Sequence, residues 1–310
     1  MGRTFGFAAL VAAFIVVAGY FGALDRLKDH LPSAIASFAL LLAPYYAFGM
    51  GPVPNAIKAL GQPAKIALAG LAVAPYPIFS VPRHDFHTEI LAGFLAVIYG
   101  VAVLLSLKRG WADWSALLLL AGAVELHWFD RAWPVPGMSG MPKLLLLDAA
   151  LYGFLAIREL DGIGFDFRPR WSDLRIGLRE FALYAPVALA LGLALGFLHV
   201  HKTLANPLWF GSGWLFTLFF IAVPEEFFFR GVMLNLLERR VGARTALIAT
   251  SVLFGLAHFN KRAAFFNWRY VALAAIAGWF YGRAWVASRR VLTASITHAT
   301  IDTVWSIWLR

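Results

Sequence analysis

The chain has 310 residues, of which 61% are hydrophobic and 14% charged, with no cysteine and a formal net charge of +10. So little polar surface excludes a soluble globule, and the missing cysteines exclude disulfides, thiol nucleophiles, thiolate metal sites and lipidated cysteines. The positive charge would suit nucleic acid in a soluble protein, but here the Lys and Arg residues stand at the ends of apolar runs; they read as membrane topology, and no nucleic-acid partner is expected.

Apolar runs suited to crossing a bilayer recur at residues 4–24, 33–51, 64–81, 90–107, 111–129, 143–157, 182–200, 210–238, 244–260, 268–288 and 292–308. Helices are the spanning form that suits such runs. They predict an all-α, polytopic transmembrane helical bundle of about eleven spans, with nine to thirteen as the bounds. The first run follows Arg3 and reads as a retained span, because other spans follow it with no domain to release.

Between the third and fourth runs, "RHDFHTE" (Arg83 to Glu89) carries two histidines at metal-like spacing. The prolines of the preceding "APYPIFSVP" put it in a loop, where solvated histidines are the ordinary case. Glu125 and His127 in "VELHWFD" sit near a helix end beside Trp128, an interfacial setting. Asp148, about one turn into the sixth run, is expected to bind a neighbouring helix.

The long polar interruption is Arg158 to Phe181. In it Trp171, Leu174, Leu178 and Phe181 form one apolar helical stripe with Arg170, Arg175 and Arg179 off it, which predicts a helix lying flat at the membrane interface. The chain is thus expected to divide into an N-terminal transmembrane bundle (1–157) of unassigned role, an interfacial amphipathic linker (158–181) and a C-terminal functional core (182–310). With the N-terminus inside, Arg3, Lys58, Lys65, Lys108, Arg109, Arg158, Arg168, Arg170, Arg175, Arg179, Arg239, Arg240, Arg244, Arg283, Arg289 and Arg290 fall on the cytoplasmic side, as the positive-inside rule asks.

The core holds the ionisable groups that are expensive in a membrane. In "AVPEEFFFRG", Glu226 and Arg230 stand four apart on one helix face and can pair. Glu225 is turned about 100° away, so it is the carboxylate left without an in-helix cation and is the candidate general base. "FGLAHFN" places Phe254 and His258 on one face near the end of the ninth run, and "THATID" places His298 and Asp302 four apart on the last. Between them Gly278 and Gly282 have the spacing of a close helix contact.

These residues resemble the CAAX protease and bacteriocin-processing family of intramembrane proteases, which includes the type II CAAX prenyl endopeptidases. Its pattern of EExxxR, FxxxH, a Gly-containing helix and Hxxx followed by Asn or Asp is similar to Glu225-Glu226-Arg230, Phe254-His258, Gly278 to Gly282 and His298-Asp302. The resemblance covers about residues 182–310. It implies a multi-pass membrane peptidase acting on a membrane-associated protein or peptide, in a bacterial-type plasma membrane, with a site in the bilayer open to the cytoplasmic side. It also implies that Glu225 and His258 activate water, that Glu226 and Arg230 brace the helix, and that His298 and Asp302 stabilise the oxyanion or orient the carbonyl. The prenyl-endopeptidase branch carries HxxxN; Asp302 departs from it, and an ionised Asp cannot donate to an oxyanion, so it is expected to orient or charge His298.

Glu225, His258, His298 and Asp302 are also ligand types adequate for zinc, which keeps a metalloprotease as the alternative mechanism. HExxH is absent, and the favoured reading uses no cofactor. Two other functions compete: an ion- or proton-coupled transporter using Glu225, His258 and Asp302, and a non-catalytic immunity or scaffold protein that keeps these residues for packing.

Overall fold

The computed structural model describes residues 2–20, 24–136, 138–201, 206–261 and 265–309; residues 21–23 of the first expected span and the side chain of Arg3 lie outside the described part. Among the described residues all regular structure is helical. The long helices are α1 (Gly2–Tyr20), α2 (Leu31–Gly49), α3 (Gln62–Arg83), α4 (Thr88–Ser106), α5 (Gly110–Glu125), α6 (Met141–Leu151), α7 (Trp171–Ala194), α8 (Pro207–Val241), α9 (Ala243–Leu256), α10 (Trp268–Ser288) and α11 (Val291–Val304). Each corresponds to one apolar run of the sequence.

Five of them, α2, α3, α4, α7 and α8, are long and apolar enough to cross a membrane unaided, fewer than the eleven spans expected. The others fall short for identifiable reasons. α9 has 14 residues, which at the helical rise make about 21 Å, less than a hydrocarbon core. α10 and α11 are diluted by Arg269, Arg283, His298, Asp302 and several hydroxyl residues, groups that a packed interior can take and lipid cannot.

The chain divides into two units, Met1–Asp161 and Gly162–Arg310. In the first, α6 is buried at every position except Lys143, and the buried set includes Asp148, whose Oδ1 has no hydrogen-bond partner among the described residues. At one end of this unit Arg158 makes a bidentate pair with the buried Asp113 (2.7 and 3.1 Å), and Glu159 accepts from Lys65 (2.7 Å) and Lys108 (3.1 Å). At another place Phe94 stacks on Phe129 at 3.9 Å, and the Tyr76 hydroxyl accepts from the backbone N–H of His87 at 2.9 Å.

The middle of the chain differs from expectation. No separate interfacial helix ends at Phe181, because α7 runs unbroken from Trp171 to Ala194. Its buried face is Asp173, Gly177, Glu180, Tyr184, Ala188 and Gly192, polar or small for the most part, while Trp171, Leu178, Leu183, Val187 and Leu191 point outward. Of the apolar stripe read from the sequence, Trp171 and Leu178 face away from the protein, as suits a helix whose outer solvent is lipid, whereas Phe181 packs against the buried cluster around Tyr184 and Phe254.

The polar face has partners on α11. Thr297 donates to the Gly177 carbonyl at 3.1 Å, and Thr293 donates to Asp173 at 2.7 Å. Arg290, only 5% exposed, donates to Asp173 (2.8 Å), to the Asp166 carboxylate (2.7 Å), and to the carbonyls of Asp166 (3.1 Å) and Arg168 (2.7 Å). One guanidinium therefore ties the strap before α7 to the junction of α10 and α11.

Burial alone would push the Asp166 carboxyl up, but hydrogen bonds from Arg168 and Arg290 outweigh it and hold the group well below the usual carboxylate range. A depressed folded-state pKa gives stability that is present above the unfolded value, about 4, and is lost as pH falls toward the folded one. Asp166→Asn should lower the melting temperature in detergent at pH 7, and the gap to wild type should narrow on acidification below about pH 4. A gap that does not change with pH would contradict this role.

Candidate active site

The site lies within the second unit and is built from α8, the turn after α9, α10 and α11. α8 is not regular: π-helical stretches at Leu218–Ala222 and Phe227–Leu234 flank Val223–Glu226. Pro224 lacks the N–H that would continue the α ladder, and such wide turns occur mostly where a side chain must be re-aimed. The two glutamates lie between them.

Glu226 and Arg230 are both fully buried. Oε1 of Glu226 accepts from Arg230 Nη1 at 3.0 Å and from His298 Nδ1 at 2.8 Å. Because that oxygen already faces a guanidinium, the carboxylate is ionised and Nδ1 is the donor. Arg230 also donates through Nη2 to the Gly278 carbonyl at 2.8 Å, and its guanidinium lies 4.6 Å from the Phe254 ring centre. Gly278 is glycine for that approach: a Cβ there would stand 3.0 Å from Nη2 and 3.2 Å from the Phe254 ring.

His298 is held on three sides. Its ring lies flat on Tyr281 (4.4 Å between centres, 10° between planes), and Phe254 meets it edge-on at 5.7 Å. Its Nε2 faces Asp302 Oδ2 at 3.4 Å and Glu225 Oε2 at 3.9 Å. With Nδ1–H given to Glu226, a neutral ring would turn a lone pair on two carboxylates.

Glu225 keeps 34% of its side chain exposed, and its Oε2 has no hydrogen-bond partner among the described residues. His258 donates Nδ1–H to the Phe254 carbonyl at 2.8 Å, since a carbonyl only accepts, and its ring stacks on Tyr270 at 5.2 Å. That fixes its tautomer and leaves the Nε2 lone pair free.

A cavity of about 260 Å³ opens beside these groups. Its lining includes the polar or amphipathic side chains of His258, His298, Asp302, Tyr184, Tyr270, Tyr281 and Trp305, and the remainder is apolar, with Ala185, Ala188, Ala274 and Ala277 leaving room. His258, His298 and Asp302 thus share one cavity. Glu225 is outside its lining and comes nearest them at His298; among the described residues no hydrogen bond or ion pair joins it to His258. Among the described residues no group of three or more His, Asp and Glu side chains is arranged to hold a metal ion.

Residues 205–304 match the family described as type II CAAX prenyl endopeptidase Rce1-like. This Rce1-like segment contains Glu225, Glu226, Arg230, Phe254, His258, His298 and Asp302, so the likeness seen in separate motifs extends over the stretch that joins them. It supports a peptide hydrolase of membranes with a membrane-associated protein or peptide as substrate. No curated protein and no solved structure matches the chain significantly.

The sequence did not point to the second bond of Glu226, to His298 across 72 positions, nor to the three tyrosines. The signal for one of them was present: Tyr184 continues the three-and-four spacing of Asp173, Gly177 and Glu180 on α7.

Removing Arg230 would leave Glu226 buried and without its cation. Arg230→Ala should destabilise the protein in detergent by ~3–5 kcal/mol, measured by thermal or denaturant unfolding. Wild-type stability in that variant would show that the pair is not dry.

Proposed function

We propose that the chain is an intramembrane endopeptidase that hydrolyses a peptide bond in a membrane-associated protein or peptide by means of a water activated by Glu225 and His258. The observation that carries this reading is the meeting of His258, His298 and Asp302 at one apolar cavity, with the unpartnered Glu225 Oε2 3.9 Å from His298, all inside the Rce1-like segment.

In this reading a carboxylate in apolar surroundings takes a proton from water, and the free Nε2 of His258 accepts the second hydrogen bond of that water. The hydroxide oxygen bonds to the carbonyl carbon, and the carbonyl π pair moves to oxygen. Glu226, fixed by Arg230, holds His298 so that the proton shared with Asp302 lies at the cavity. Collapse breaks the C–N bond, and the leaving amine takes the proton that Glu225 received. The route as written needs no metal.

Glu225→Gln keeps the shape but cannot take a proton, so it should reduce cleavage by purified protein in detergent at least ~100-fold while insertion and folding persist. Cleavage retained at anything near wild type would end the assignment. Cleavage without a transmembrane gradient also separates a peptidase from a transporter.

Asp302 distinguishes the two mechanisms. Asp302→Asn should keep much of the activity if Asp302 orients or charges His298, because the amide has the same shape and can donate a hydrogen bond. Bound zinc that is stoichiometric in wild type and vanishes with activity in Asp302→Asn would overturn the metal-free route.

The Lys/Arg distribution supports a bacterial-type plasma membrane orientation with Ser172 and Ser288 at the cytoplasmic face, the side to which the site opens. Cysteines introduced at these two positions should resist an impermeant thiol reagent in intact cells, and ready labelling of both would invert the orientation.

A further inference from the structure

An acyl-transfer site needs a hydrogen-bond donor where negative charge grows on the carbonyl oxygen, and removing such a donor is costly. The donors facing this cavity can be counted. His258 has given Nδ1–H to the Phe254 carbonyl and serves as an acceptor at Nε2. His298 has given Nδ1–H to Glu226, and any proton at Nε2 faces two carboxylates. Asp302 accepts when ionised. Neither imidazole therefore has an uncommitted N–H to offer.

Three phenols remain, with the indole of Trp305, whose ring is stacked on Phe197 and lies edge-on to Tyr270. Tyr281 is spent as the floor beneath His298, with its ring flat on the imidazole and only 2% of the residue exposed. Tyr270 is stacked on His258 and has a further contact. Tyr184 comes from a different helix, α7. Its ring rests edge-on against Phe280 at 5.7 Å, it lines the cavity, and its hydroxyl makes no hydrogen bond among the described residues. Asp302 and Tyr270 are the polar groups whose fields act on that hydroxyl.

We propose that Tyr184 is a catalytic residue whose hydroxyl donates to the oxyanion, supplying the donor that the carboxylate of Asp302 cannot. This rests on the endopeptidase reading. The bond-making is that given above: water oxygen joins the carbonyl carbon, the π pair moves to the carbonyl oxygen, and that oxygen accepts the Tyr184 O–H. The phenol keeps its proton throughout and returns to its ground state when the C–N bond breaks. A neutral phenol is suited to this, because its O–H donates while it keeps its proton.

The proposal ties two positions on different helices into one function, which makes it testable by rescue. Tyr184→Phe preserves the ring and its packing on Phe280, so it should fold as wild type while kcat falls ~100- to 1000-fold with KM changed less than ~3-fold. Adding Asp302→Asn restores an amide N–H to the site, and the double variant should recover at least ~10-fold over Tyr184→Phe.

A Tyr184→Phe enzyme within about twofold of wild type in kcat overturns the proposal, as does a loss that Asp302→Asn fails to relieve, which marks a structural role. A loss that appears in Tyr281→Phe and not in Tyr184→Phe moves the donor elsewhere and overturns it too. Should wild type itself fail to cleave in detergent while folded, the endopeptidase reading fails and takes this assignment with it. Cleavage by wild type that is lost in Glu225→Gln and intact in Tyr184→Phe fails the tyrosine assignment alone.

Discussion

A carboxylate and a guanidinium without exposed surface must satisfy one another and every remaining polar atom nearby, and in this protein that requirement falls on Glu226 and Arg230. Their bond alone would be a local device on α8. What gives it reach is that each partner has a second obligation. Glu226 takes the imidazole of His298 from α11, and Arg230 takes the Gly278 carbonyl from α10 and lies against Phe254 from α9. Four helices are thus registered by one ion pair. The register fixes the tautomer of His298, which in turn decides what Nε2 can offer Asp302 and Glu225. The chemistry of the cavity is downstream of a charge that has nowhere else to go.

The same economy shows in the scaffold of the second unit. α7 buries Asp173, Gly177, Glu180 and Tyr184 and turns its leucines and Trp171 outward, the inverse of a soluble amphipathic helix. Such a face needs partners of its own kind, and it finds Arg290, Thr293 and Thr297 on or beside α11. Arg283 and Arg179 close on Glu180 in the same way, at 3.0 and 2.7 Å. Polar contacts therefore set the position of α7 against α11, and Tyr184 on the same face lines the cavity.

The sequence made the order and number of helices legible, because each apolar run became one helix, and local spacing located Glu226 with Arg230 and His298 with Asp302. It misled over where one helix ends: the stripe Trp171, Leu174, Leu178 and Phe181 was read as a separate interfacial helix, whereas α7 continues without a break to Ala194 and Phe181 packs inward. Contacts between distant positions were not legible at all. Nothing within a few residues of Glu226 announces His298, and nothing near His258 announces Tyr270. Gly278 was readable as a close-packing position, but the reason, a carbonyl offered to a guanidinium, required the fold.

The dependence of the cavity on the Glu226 bond to His298 can be observed directly by ¹⁵N NMR of histidine-labelled protein in detergent micelles. The account predicts that His298 Nδ1 has a protonated-type nitrogen shift with a strongly downfield proton that is protected from exchange, and that this signal disappears in Glu226→Gln while the spectrum otherwise reports a folded protein. An unprotonated Nδ1 at His298 in the wild type, or a signal indifferent to Glu226→Gln, would contradict it.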